Sequence, residues 1–177
     1  MNIPSWPVYE NDEIESVSNI LKSGRVNYKT GQVGKKFEKE FASFCDCKYA
    51  VAIANGSLAL TAAYASLDLS PGDEFITTPR TFIATTSSAV LLGLVPIFAD
   101  VDINSGNITP ENIEPLITKK TKAISVVHIA GWPADMEGIC SLASKYNLKI
   151  IEDCSQAHGA QINGKSVGSF GDVSTWS

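Results

Sequence analysis

No apolar run in this chain approaches the roughly 20 residues that span a bilayer, which argues against a membrane protein. A basic surplus is missing too, since Lys+Arg 14 stand against Asp+Glu 19 for a formal charge of -5. Neutralising phosphates takes clustered Lys and Arg, so nucleic acid is a poor partner. Lys35-Lys36 and Lys119-Lys120-Thr121-Lys122 read instead as solvated helix ends and turns. The opening Met1 to Pro7 has neither the basic start nor the apolar stretch of a secretory signal, and the expectation is a cytoplasmic protein. Cysteine is scarce, at four. Cys45 and Cys47 are one residue apart, which fits neither a zinc knuckle nor a redox CxxC pair. A Cys154–His158 nucleophile pair lacks any neighbouring oxyanion hole, so buried free thiols are the favoured reading. There is no GxGxxG turn after the first strand, which weighs against a dinucleotide-binding domain.

What is present is a core-forming chain. Of 177 residues, 44% are hydrophobic and 19% charged, enough to build one sizeable core. Helical patterns run from Asn11 to Lys22, with Gly24 as a stop, and from Val33 to Phe44, with Val33, Phe37, Phe41 and Phe44 on one side. Tyr49 to Ala54 reads as a short buried strand, followed by an Ala/Leu-rich helix from Ser57 to Leu67. Strand patterns at Glu74–Thr78, Val95–Val101, Ala123–Ile129, Lys149–Asp153 and Asp172–Ser177 alternate with helical ones at Thr81–Leu92 and Asp135–Tyr146. Thr109-Pro110-Glu111 opens another helix with a capping hydroxyl, and Asn163-Gly164 marks a hairpin. This rhythm predicts an α/β fold with a mostly parallel sheet between helices, and ligands in such sheets sit beyond the carboxyl ends of the strands.

The strand ends carry the candidate chemistry. Asn55-Gly56-Ser57-Leu58 opens a helix whose unpaired N–H groups and positive dipole suit a phosphate, although an ordinary helix cap has the same composition. Phe82 stands where a flat side chain can stack on a cofactor ring or fill core. His128 is either a supporting hydrogen-bonding group or a satisfied histidine near a turn. Asp153 ends a hydrophobic strand, where a carboxylate is costly unless it meets a cation such as a pyridinium nitrogen; a helix cap is the competing role. Gln156 presents an amide three residues on. A metal held by Asp153 and His158 lacks further ligands. Gly168 to Ser177 combines glycines and hydroxyls, which offers a further phosphate donor or simply a polar loop.

Each feature is weak alone, but their order is specific. Asn55-Gly56-Ser57-Leu58-Ala59-Leu60, Gly72-Asp73-Glu74, Thr81-Phe82-Ile83-Ala84-Thr85, Gly93…Pro96-Ile97-Phe98-Ala99-Asp100-Val101-Asp102, His128…Gly131…Pro133-Ala134-Asp135-Met136, Ile151-Glu152-Asp153-Cys154-Ser155-Gln156-Ala157-His158-Gly159-Ala160 and Gly168…Phe170-Gly171-Asp172 together resemble the DegT/DnrJ/EryC1/StrS family of sugar aminotransferases. The likeness runs from about Pro7 to Ser177.

The resemblance implies an aspartate-aminotransferase type of fold (fold type I), with pyridoxal 5'-phosphate as cofactor. A helical segment would occupy 1–45 and part of the cofactor-binding large domain 46–177. It also implies a homodimer or higher homo-oligomer. Its substrates would be a nucleotide-linked keto-deoxysugar and an amino-acid donor, glutamate above all. By position, Asp153 matches the acid that pairs with the pyridine nitrogen, Gln156 the residue near the ring hydroxyl and Phe82 the stacking aromatic. Gly56, Ser57 and Leu58 match the helix start that holds the phosphate, and Ser177 a further hydroxyl reaching it. The family's usual Ser-Gly-Thr turn is Asn55-Gly56-Ser57 here, which keeps the hydroxyl. The family's cofactor-binding lysine falls roughly five residues past Ser177, so the expectation is that these residues alone perform no efficient transamination. Sugar 3-dehydration, with histidine in the lysine position, or a non-catalytic remnant are the alternatives.

Overall fold

The computed structural model describes residues 7–177; residues 1–6, which carry most of the leader reading and the start of the 1–45 segment, lie outside the described residues. Helices α1 (Asn11–Ser23) and α2 (Val33–Phe44) come first, followed by α3 (Gly56–Ala65). Strands β1 (Glu74–Thr77), β2 (Val95–Phe98), β3 (Thr121–Val127) and β4 (Lys149–Asp153) alternate with α4 (Ala84–Val90), α5 (Pro110–Ile113) and α6 (Met136–Tyr146). A two-strand hairpin, β5 (Gln161–Ile162) and β6 (Lys165–Ser166), precedes β7 (Val173–Thr175). Asn163 and Gly164 at its turn take φ 51 and 81, the left-handed pair such a turn demands.

The main sheet has the order β2-β1-β3-β4-β7 and every pairing in it is parallel. Side chains alternate between its faces. Phe75, Ala123 and Ile151 pack against Leu60 and Tyr64 of α3 and Ala89 of α4. Ile76, Ile124, Val126 and Ile150 pack against Met136, Ile139 and Leu142 of α6. Fully burying each such large side chain contributes roughly 1.5–3 kcal/mol, which is why the sheet reads as near-continuous apolar runs. Asp135 starts α6 by accepting the Gly138 N–H at 3.0 Å, and Gly24 ends α1 in the left-handed region.

Three expectations need correction. Tyr49 to Ala54 is neither a strand nor buried. Among the described residues its backbone has no ladder partner, and the Ala52 N–H donates to the Glu38 carboxylate at 2.9 Å. This segment and β7 do not pair but both line a cleft of about 930 Å³. The helix at Thr109 is a single turn without a hydroxyl cap, because Pro115 cannot donate to the preceding turn and the chain tightens to a 3-10 turn at Glu114–Leu116. The helix expected from Thr81 starts at Ala84, and the Thr81 hydroxyl lies 3.0 Å from that of Thr85.

Candidate cofactor site

The carboxyl ends of β3, β4 and β7 and the start of α3 surround a cavity of about 330 Å³, the size of a pocket for one small ligand. Gly56, Ser57, Phe82, Asp153, Gln156 and Ser177 all line it. Leu58 does not; its N–H is spent on the Asn55 side chain at 3.0 Å and its own side chain is half exposed. The larger cleft beside β7 contains no Asp153, so the carboxylate chemistry belongs to the smaller cavity.

At one end, Asn55 caps α3 with extended backbone. Among the described residues, the Gly56 and Ser57 N–H groups keep no acceptor, as the first turn of a helix requires. Gly56 is needed here for space. A Cβ on it would stand 2.8 Å from the Ser177 Cβ and 3.1 Å from its hydroxyl, so only glycine lets Ser177 close over the helix start. Ser57, Ser177 and the two free N–H groups therefore border one cavity at a positive dipole end.

At the other end, β4 delivers Asp153 almost fully buried. Its Oδ1 accepts from the Ser155 N–H at 3.2 Å and hydroxyl at 2.7 Å. Its Oδ2 accepts from the Thr85 hydroxyl at 2.7 Å. Gln156 is oriented by the Ala130 N–H, which donates to its Oε1 at 2.7 Å and leaves the amide NH₂ as the free end. Phe82 is 68% exposed, so its ring is surface in this chain and not core.

Behind the cavity, Glu152 is wholly buried and accepts four bonds, from His128 Nε2 at 3.1 Å and from the N–H groups of Gly168, Phe170 and Gly171 at 2.7 to 2.8 Å. His128 Nδ1 accepts the Ala134 N–H at 3.1 Å, so Nε2 carries the proton that it donates to Glu152. Burial pushes the Glu152 carboxyl up, but the His128 bond and the backbone donors outweigh it and hold the group below its ordinary value. His128 is thus a satisfied buried histidine that braces the loop. The Gly168–Gly171 donors are spent on Glu152 and offer nothing to a phosphate. Although Cys154 lies with His128 and Glu152 within 4.8 Å, both histidine nitrogens are already committed.

The Cys154–His158 pairing is not formed. Cys154 is fully buried and burial pushes its thiol well up, while His158 packs edge-on against Phe41 and Trp176 at 6.1 and 5.1 Å. Sequence reading missed Thr81, Thr85 and Ser155 as functional residues, while the helix-cap alternative at the Asn55 turn is formed. Only Asn55 and Ser155 carried a local signal, a capping amide before a helix and a hydroxyl two residues after an acid.

With this geometry in place, comparisons with known proteins are specific. The model of the DegT/DnrJ/EryC1/StrS aminotransferase family matches residues 7–177. The dTDP-3-amino-3,6-dideoxy-alpha-D-galactopyranose transaminase of Aneurinibacillus thermoaerophilus is 45% identical over 169 residues, covering 96% of this chain and 46% of that protein. The GDP-perosamine synthase of Escherichia coli O157:H7 is 42% identical over 175 residues, covering 97% and 48%. A crystal structure of the aminotransferase from Psychrobacter cryohalolentis superposes with TM-score 0.96 at 54% identity, covering 99% of this chain and 44% of that one. The chain spans about half the length of the curated relatives it matches. Among the described residues, no helix is long and apolar enough to cross a membrane.

Proposed function

This chain belongs to the DegT/DnrJ/EryC1/StrS aminotransferase family, and from that premise we propose that the whole protein is a pyridoxal-phosphate-dependent aminotransferase. It moves an amino group from an amino-acid donor, glutamate, to the keto carbon of a nucleotide-linked deoxysugar. The working form is a cytoplasmic homodimer or higher homo-oligomer. One observation carries the reading: six residues from distant parts of the sequence, five side chains and the Gly56 backbone, line one cavity with a helix start at one end and a buried carboxylate at the other.

The donor set fits the cofactor at both ends. Gly56 leaves room that any Cβ would fill, and the Gly56 and Ser57 N–H groups with the Ser57 and Ser177 hydroxyls would hold the phosphate. Asp153, a buried carboxylate that calls for a cation, would hold the proton on the ring nitrogen. Gln156, whose NH₂ is left free, would donate to the ring oxygen, and the exposed Phe82 ring would stack on the cofactor ring. Pyridoxal phosphate, when bound, supplies the electron sink for charge developing at the amine-bearing carbon.

The test is amino transfer from ¹⁵N-glutamate to nucleotide-linked keto-deoxysugars by the whole protein, read by mass spectrometry. Labelled aminosugar is expected. Asp153→Ala should lower the rate by about a hundredfold, the scale of breaking a buried ion pair. A deoxygenated product without nitrogen would overturn transamination in favour of dehydration.

A further inference from the structure

We propose that Thr85 is a positioning residue that fixes Asp153 for recognition of a ring nitrogen; this rests on the cofactor reading above. Thr85 does not line the cavity. It is fully buried on α4, and its hydroxyl donates to Asp153 Oδ2 at 2.7 Å from a position 68 residues away in sequence. Among the described residues the other oxygen of Asp153 is held only by Ser155, two residues past the end of β4, so that bond is local and does not tie the carboxylate to another layer of the fold. Thr85 is therefore the tie between the carboxylate and the helix layer.

The tie is itself held from two sides. The Tyr64 phenol, buried against Phe75 at 5.3 Å between ring centres, donates to the Thr85 carbonyl at 2.8 Å. Because the Thr85 proton is committed to a carboxylate, the Thr81 hydroxyl at 3.0 Å is the donor to Thr85. Donation by Thr81 polarises the Thr85 hydroxyl and strengthens its bond to Asp153. Without that bond, Oδ2 loses its charge-assisted donor and only the local Ser155 bonds would hold the carboxylate toward a ring nitrogen.

The test uses the 177-residue chain with pyridoxal 5'-phosphate and with its 1-deaza analogue, whose ring has C–H in place of the nitrogen. Equilibrium dialysis gives the Kd of each. Thr85→Val, close in shape but without a donor, should weaken pyridoxal phosphate about tenfold, the scale of one hydrogen bond to a charged group. Thr85→Ser should restore binding, and neither variant should change binding of the deaza analogue. Equal losses for both ligands would reduce Thr85 to packing and overturn the proposal, as would unchanged binding in Thr85→Val. Failure of the unsubstituted chain to bind pyridoxal phosphate would sink the cofactor reading instead. A ligand-free measurement then still decides the tie: the Asp153 carboxyl ¹³C resonance should move in Thr85→Val and stay put in Thr85→Ser, and a resonance that ignores both overturns it.

Discussion

His128 and Glu152 form a wholly buried pair at 3.1 Å, in which the imidazole is one of four donors to a single carboxylate. The pair ties β3 to β4 and clamps the Gly168–Gly171 loop that leads into β7. Since β7 carries the chain on to Ser177, this strut sets where that hydroxyl meets the start of α3.

Replacing Glu152 with Gln should therefore cost about 3 kcal/mol, because an amide NH₂ then faces backbone donors it cannot accept from. Urea unfolding followed by circular dichroism measures this. A loss below about 0.5 kcal/mol would show that the loop does not depend on the carboxylate.

The same carboxylate predicts a pH dependence. Its value is lowered in the folded chain from 4.5, so its contribution is complete above that value and drains away as pH falls through the lowered folded value. Unfolding midpoints measured from pH 6 down to pH 3 should drop more steeply for the unsubstituted chain than for Glu152→Gln. Parallel curves would assign the acid sensitivity to other groups.

Gly56→Ala should act on the phosphate end alone. The new Cβ meets Ser177 at 2.8 Å and must push it off the helix start. Binding of pyridoxal 5'-phosphate should weaken about tenfold while that of unphosphorylated pyridoxal barely changes. Equal weakening of both would mean that the substitution disturbs the whole cavity.

The thiols should be silent in the folded chain. Burial first, then the neighbouring Cys47 and Asp46, pushes Cys45 up to about 11, and burial raises Cys47, Cys140 and Cys154 as well. Each is protonated at pH 8, so Ellman's reagent should register the four free cysteines only on unfolding. A fast-reacting thiol at Cys154 would revive a nucleophile there.

The site was legible in the sequence wherever a strand end announced itself. Asp153 closes the strand pattern Lys149–Asp153, so periodicity placed it at a sheet end, whereas Gly56 was marked by the Ala/Leu-rich helix it opens, the strand expected before it being absent. Thr85 was illegible because its partner is 68 residues distant and a threonine in the first turn of α4 has no local reason to be special. Tyr49 to Ala54 was misread for a related reason. Its apolar residues have strand propensity, but a ladder is made by the neighbouring chain, and β7 lies across a cleft. The side of α2 bearing Val33, Phe37 and Phe44 was identified as apolar, yet pattern says nothing of what covers it, and here it is exposed.

That exposure leads to the last prediction. Ile14, Val17 and Leu21 of α1, Phe37 and Phe44 of α2, and Tyr49 and Val51 beyond it are each more than half exposed, and among the described residues β7 pairs on one side only, with β4. Apolar surface on that scale, beside an open strand edge, favours association between chains. Sedimentation velocity on the 177-residue chain at micromolar concentration should show dimers or larger species. A Val17→Lys, Phe37→Lys double variant should shift them toward monomer, since a charge in each apolar face opposes its burial. The core is untouched by these substitutions, because α1 buries nothing and α2 buries only Ala42, so the variant should still melt cooperatively. A sharp monomeric boundary for the unsubstituted chain would mean that water solvates these faces well enough, and the association claim would fall.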